Sequence, residues 1–197
     1  MKKNPNHPKK GSKISVEPIR KKKDLNLIKK LLQDSPRNLC LFIVGINTNL
    51  RAVDLLSIRI NQVKHLGPED VLILKEKKTR KTRQVTLNVA CISAIQDLIK
   101  SKKYHDDDFL FQSKRIGKPL SVPSFSQLVK KWCKEINLRS NYASHTLRKT
   151  WGYHQRVTFN VGIPELMVCF NHTSQKQTLD YLCIQPEEIK SVYQNVL

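Results

Sequence analysis

The chain has 197 residues, 39% of them hydrophobic and 26% charged, enough apolar content for a buried core and too much for a disordered chain. Thirty-six Lys and Arg against sixteen Asp and Glu leave a formal charge of +20, so a polyanion is the natural partner. No apolar run approaches the roughly 18 residues that cross a bilayer, and the basic N-terminus lacks the apolar segment and cleavage site of a secretory signal, which points to the cell interior.

Residues 1–16 (MKKNPNHPKKGSKISV) are polar, basic and broken by Pro and Gly, which predicts a flexible arm. The first 23 residues hold +8 of the charge, leaving +12 on the rest, so the folded body is basic as well. A ribosomal or membrane-surface protein would carry charge of the same kind. From Asp24 on, Leu25, Leu27, Ile28, Leu31 and Leu32 recur at helical spacing. Pro36 opens a second helix that is apolar almost all round, from Leu39 to Ile46, and so is expected to be central. Asn47-Thr48-Asn49 ends it, and 52–58 reads as another short helix. Two strands, 71–74 and 84–87, flank a basic connector, Lys75 to Arg83, and should pair antiparallel.

Further on, 90–99 reads as a helix, Phe109-Leu110-Phe111 as a short extended piece and Gly117-Lys118-Pro119 as a turn. Pro123 opens a helix to Ile136 with Phe125, Leu128, Val129 and Trp132 on one face. Ser144 is expected to N-cap a helix starting at His145. Helices over 163–170, 174–183 and 187–196 complete the chain. The fold class is mainly α with a small antiparallel β-sheet (α+β). Five scattered cysteines without a CxxC pair suit reduced thiols, not disulfides or a structural zinc site.

His145 and Arg148 lie three apart in His145-Thr146-Leu147-Arg148 and share a helical face, close to an N-terminus that favours anions. Asn171-His172 follows, with Tyr181 nine residues after the histidine. Upstream, Asn49-Leu50-Arg51-Ala52-Val53-Asp54-Leu55-Leu56 places an Arg between helices, with Asp54 available to hold its guanidinium. Lys78 lies in the basic connector, in competition with Lys75, Lys77 and Lys81.

Each piece has an ordinary structural reading. Arg51 equally fits a helix-end Arg paired with Asp54, His172 a helix-end cap, and Lys78 a solvated charge run. Tyr181 alone would more often be a packed aromatic. Tyr142, Tyr153 and Tyr193, however, lack a histidine at the same spacing. His145, His172 and Cys169 show no metal-ligand spacing, and no metal or cofactor is expected.

Taken together and in order, Arg51, Lys78, His145 with Arg148, His172 and Tyr181 resemble the tyrosine recombinase, or phage integrase, family over residues 17–185. Two departures occur, Asn49 and Asn171, where the family usually has Gly. Asn is the non-Gly residue that best tolerates a left-handed backbone, so the geometry is expected to survive. The resemblance implies the tyrosine recombinase catalytic-domain fold and a site-specific recombinase that cuts and rejoins double-stranded DNA through a 3′-phosphotyrosyl link, without metal or ATP. Tyr181 would attack the phosphorus, and Arg51 and Arg148 would bind the oxygens of its pentavalent state. His145 and His172 would add donors, and Lys78 would protonate the leaving 5′-oxygen.

The same resemblance implies a homotetramer on paired sites, a monomer or dimer without DNA, and a cytoplasmic, nucleoid-associated protein. Residues 186–197 would form a C-terminal helix docking on a neighbour, with Ile189, Val192, Tyr193 and Val196 as its apolar face. Only a basic tail and one helix precede the matching region, as expected of a naturally short recombinase, or else of a part or remnant of a longer integrase. Two alternatives stay open: a type IB topoisomerase-like nicking-closing enzyme, and a non-catalytic DNA-binding accessory protein that kept the fold.

Overall fold

Pro36 opens the helix around which most of the chain is arranged. In the computed structural model, which describes residues 15–113, 117–184 and 190–196, helix α1 (Lys22–Leu31) leads into α2 (Pro36–Asn47). Helix α2 buries Cys40, Leu41, Phe42 and Val44, as its all-round apolar sequence predicts. It packs against α5 (Val89–Lys100) and α7 (Ser144–Val157). Short helices α3 (Ala52–Leu55) and α4 (Ile60–Val63) follow α2. The hairpin of β1 (Val71–Lys75) and β2 (Thr82–Thr86) pairs antiparallel, Val71 opposite Thr86 and Lys75 opposite Thr82. Its inner face, Leu72, Leu74 and Val85, joins the core. Helix α6 (Val122–Glu135) lays Phe125, Val129 and Trp132 into the same core, with Trp132 edge-on to Phe42 at 6.1 Å.

The C-terminal third is built differently. Helices α8 (Ile163–Phe170) and α9 (Gln175–Leu182) enclose a separate cluster of Leu166, Phe170 and Leu182, with Trp151 and Tyr181 packed against it. Helix α7 touches both clusters. Gly45 of α2 meets it with room for no more than a hydrogen, because a Cβ there would sit 2.6 Å from Leu147 Cδ1. Gly152 of α7 lies so close to the Phe170 ring that a Cβ would overlap it.

Four expectations change. The helix after Arg51 covers Ala52–Leu55, shorter than 52–58. The hairpin connector contracts to 76–81, since each strand shifts towards the turn. Ser144 is not the N-cap of α7. Ala143 holds that position, and the Ser144 hydroxyl is taken by Ser126 of α6 at 3.0 Å. The Ala143 amide is met instead by the Thr146 hydroxyl at 3.1 Å. At the C-terminus, the described part of the expected docking helix contains a 3-10 turn, Ser191–Gln194, and Tyr193 and Val196 are exposed; residues 185–189 lie outside the described residues, as does the arm up to residue 14. Among the described residues, no helix is long and apolar enough to cross a membrane.

Candidate active site

Asn49 turns the chain out of α2 with φ 53, and Asn171 ends α8 with φ 57 and ψ 48. Both left-handed turns fall where asparagine stands in for the expected glycine. Their consequence is local and chemical. The Asn49 turn exposes its carbonyl to Arg148 Nη1, which donates to it at 2.6 Å, while Arg148 Nη2 donates to the Phe170 carbonyl at 3.2 Å. The Arg148 side chain therefore spans the two clusters, buried and lying over the Phe170 ring at 5.1 Å. Burial is the main cause that brings its pKa down to about 10.

Tyr181 reaches this guanidinium from α9. Its ring lies 5.0 Å from Phe170 and 5.4 Å from His172. Its hydroxyl is buried and makes no well-formed hydrogen bond. Burial raises the phenol's pKa, and the nearby Arg148 and Arg51 guanidiniums pull it down without cancelling the rise. His172 stacks on Phe170 at 5.1 Å, and its Nδ1 is held by the Thr178 hydroxyl at 3.0 Å, which leaves Nε2 to face outward chemistry. His145 is solvent-accessible at the start of α7. The protein crowded around it, then the charges of Arg148, Lys149, Arg51 and Lys78, hold its imidazole below the usual value. His172 is lowered too, by burial and then by Arg148 and Arg51. Lys78 is exposed in the hairpin turn and near enough to bear on His145. The structure thus brings together all six residues singled out in the sequence.

Arg51 has a different partner from the expected one. It pairs through Nη1 with Glu76 Oε1 at 2.5 Å. Asp54 is fully buried and accepts the Lys77 amide at 2.8 Å through Oδ1, tying α3 to the hairpin turn. The sequence reading missed Glu76, and it missed Arg83, which donates to Glu76 Oε1 at 3.3 Å and to the Cys169 carbonyl at 2.9 Å. Burial alone would raise the Glu76 carboxyl, but the Thr79 hydroxyl and the Arg51 and Arg83 guanidiniums outweigh it and hold it below the usual carboxylate range. Thr178 and Lys149 were missed as well. The Lys149 ammonium is buried 5.2 Å from the Tyr181 ring centroid and contacts Cys183 Sγ at 3.0 Å.

Three guanidiniums, Arg51, Arg83 and Arg148, are therefore gathered here, and Glu76 is the carboxylate that pairs with the first two. Buried polar atoms left without a hydrogen bond concentrate in the same place: Asn49 Oδ1, Asp54 Oδ2, Arg83 Nε and the Tyr181 hydroxyl. Such atoms are costly unless a ligand or solvent meets them. The arrangement is suited to holding a tetrahedral or trigonal-bipyramidal oxyanion next to a phenol.

The profile of the phage integrase family matches residues 18–188. A probable integrase/recombinase, YoeC of Bacillus subtilis, is 33% identical over 181 residues, which cover 90% of this chain and 95% of the relative. The tyrosine recombinase XerC of Caldanaerobacter subterraneus is 32% identical, but the match spans 54% of its length. Among solved structures, XerA recombinase superposes with a TM-score of 0.74 at 17% identity, covering 91% of this chain and 65% of XerA. XerH recombinase bound to its difH substrate gives 0.73 at 16%, covering 96% and 56%. At such identities the likeness is one of fold.

Proposed function

The chain belongs to the phage integrase family, the tyrosine recombinases, and on that premise we propose that it cleaves and rejoins double-stranded DNA with Tyr181 as the nucleophile. The observation that carries this reading is the Tyr181 hydroxyl, buried beside Arg148 with Arg51 and His172 close to it, while His145 lies close to the same two arginines. Arg51 and Arg148 bind the non-bridging oxygens of the scissile phosphate. His145 and His172 add donors as negative charge builds, and His145 takes the phenol's proton. The tyrosine oxygen bonds to phosphorus, the bond to the 5′-oxygen breaks, and Lys78 delivers the proton that this alkoxide needs. The 3′-phosphotyrosyl bond conserves the energy of the cleaved one, so rejoining runs in reverse without ATP, and no step calls for a metal.

In the same reading, residues 17–185 are the catalytic domain and the basic arm, 1–16, tracks DNA phosphates. The segment 186–197 docks on a neighbour within a tetramer assembled on paired sites. DNA is favoured over other polyanions by the family and by neighbours whose structures hold DNA substrates.

The test is covalent capture on a library of nicked duplexes of randomised sequence, in which the cut strand's end diffuses away. The wild-type chain is expected to give a protein–DNA adduct that survives denaturation, and Tyr181→Phe none. An adduct that persists in Tyr181→Phe would move the nucleophile elsewhere.

A further inference from the structure

The turn that carries Lys78 is fastened on both sides of that residue. On one side the Lys77 amide donates to Asp54 Oδ1 at 2.8 Å. On the other, the Thr79 hydroxyl donates to Glu76 Oε2 at 2.6 Å. The turn closes on itself through Glu76 N–H to the Lys81 carbonyl and Arg80 N–H to the Glu76 carbonyl, both at 2.9 Å, with Arg80 in the left-handed region at φ 60. Lys77, Lys78 and Arg80 are exposed, whereas Glu76 is only 4% exposed. A carboxylate buried at the base of a basic turn costs desolvation, and a well-made polar network of this kind is best understood as fixing register.

The two oxygens of Glu76 divide their partners. Oε1 forms an ion pair with Arg51 Nη1 and accepts from Arg83 Nη1, and Oε2 accepts from the Thr79 hydroxyl. One rigid, planar group thus joins the guanidinium that binds the phosphate to the residue next to the general acid. The Arg83 side chain extends the link to the Asn49 and Cys169 carbonyls, and Arg148 shares that Asn49 carbonyl. The geometry points to Glu76 as a positioning residue that sets Lys78 relative to Arg51, so that the proton is delivered to the oxygen opposite the attacking phenol. This rests on the proposed cleavage reaction, in which the ammonium of Lys78 gives its proton to the departing 5′-oxygen.

The experiment uses the duplex sequence and cleavage position recovered from wild-type adducts, made in two forms. One has the ordinary 5′-oxygen at the scissile bond, and the other has sulfur there. A thiolate leaves without being protonated, so a defect confined to general-acid delivery vanishes on the sulfur substrate. Lys78→Ala should lose about 10²- to 10⁴-fold on the oxygen substrate, the range for a general acid, and recover on sulfur. Glu76→Gln should lose about tenfold or more on oxygen, as expected for removing hydrogen bonds to a charged group, and approach the wild-type rate on sulfur.

Equal losses on both substrates would show that Glu76 serves phosphate binding or folding alone and would overturn the inference; no loss on either would do the same. Should Glu76→Gln not fold, Thr79→Val decides, because it severs the Oε2 link and leaves the arginine pairs in place. It should show a smaller loss with the same recovery on sulfur, and a uniform loss or none overturns the inference. A wild-type chain that forms no adduct with either substrate is a different result: it removes the proposed reaction itself.

Discussion

The two hydrophobic clusters among the described residues differ in thickness, and the candidate site residues are divided between them. The main core runs through α2, α5, α6 and the hairpin and fully buries Phe42, Phe111, Phe125 and Leu87 among many others. Arg51 and the turn bearing Lys78 are mounted on it. Among the described residues, the second cluster fully buries Leu166, Phe170 and Leu182, and it mounts His172 and Tyr181. Its helices also leave Val168 and Leu179 exposed. Local stability follows buried apolar contact, so in the proposed reaction the half of the site that would bind phosphate stands on the firm body, and Tyr181 on the softer one. Arg148 joins them through one carbonyl from each side. Under the proposed reaction this is a division of labour, with charge held fixed while the phenol is carried on the less deeply packed helices.

The largest test applies the same substitution to both regions. Leu41 and Leu182 are each fully buried, and truncation to Ala costs about 2–5 kcal/mol at such sites. Leu41→Ala should lower the denaturation midpoint and raise amide exchange throughout. Leu182→Ala should raise exchange mainly in α8 and α9, move the global midpoint much less, and still remove most adduct formation. If Leu182→Ala loosened α2 and α5 equally, the two clusters would be a single cooperative unit.

A smaller effect sharpens the contrast at the two glycines that α7 needs. Gly152→Ala pushes a methyl into the Phe170 ring and towards Leu182 Cδ2, 2.9 Å from the added carbon. Gly45→Ala pushes one into Leu147. Overpacking of this kind costs about 1–3 kcal/mol, against roughly 1 kcal/mol gained in helix propensity. Gly152→Ala is expected to slow cleavage more than it lowers the melting temperature, and Gly45→Ala to do the opposite. Parallel losses of both properties in both variants would contradict the split.

Much of this architecture was legible in the chain because it depends on local rules. The breaker Pro36, the all-round apolar α2 and the two short strands read directly, as did the two asparagines at left-handed turns. What was not legible depends on distant packing. Glu76 sits in a run of lysines that reads as solvated, yet it continues the inward alternation of Leu72 and Leu74, and that period was the available signal. Arg83 is paired with Leu74 across the hairpin, whereas the sequence reading left it in the connector, outside both strands. Asp54 was assigned to Arg51 from spacing alone, whereas the folded hairpin offers it the Lys77 amide. Ser144 has the right chemistry for a cap, but Ser126 on a neighbouring helix claims its hydroxyl.

The smallest expected effect concerns the two imidazoles, His172 on the second cluster and His145 on α7, which touches both. His145 and His172 both have folded-state values below the ordinary one, through burial and then neighbouring cationic side chains, Arg148 foremost. Below about pH 6.5 the unfolded chain therefore binds protons that the folded chain refuses. Stability is lost as pH falls through that window, and His154, also lowered, adds to the loss. A bound phosphate reverses the sign at the site, since an anion beside an imidazole favours its protonated form. Lowering the pH from about 7.5 to about 5.5 should then destabilise the free protein while tightening DNA binding a few-fold. His154 faces the Ile19 carbonyl and Thr158, so His154→Gln should leave the tightening intact. His145→Gln with His172→Gln should abolish it. Tightening that survives the double substitution would place the protons taken up on DNA binding outside the site.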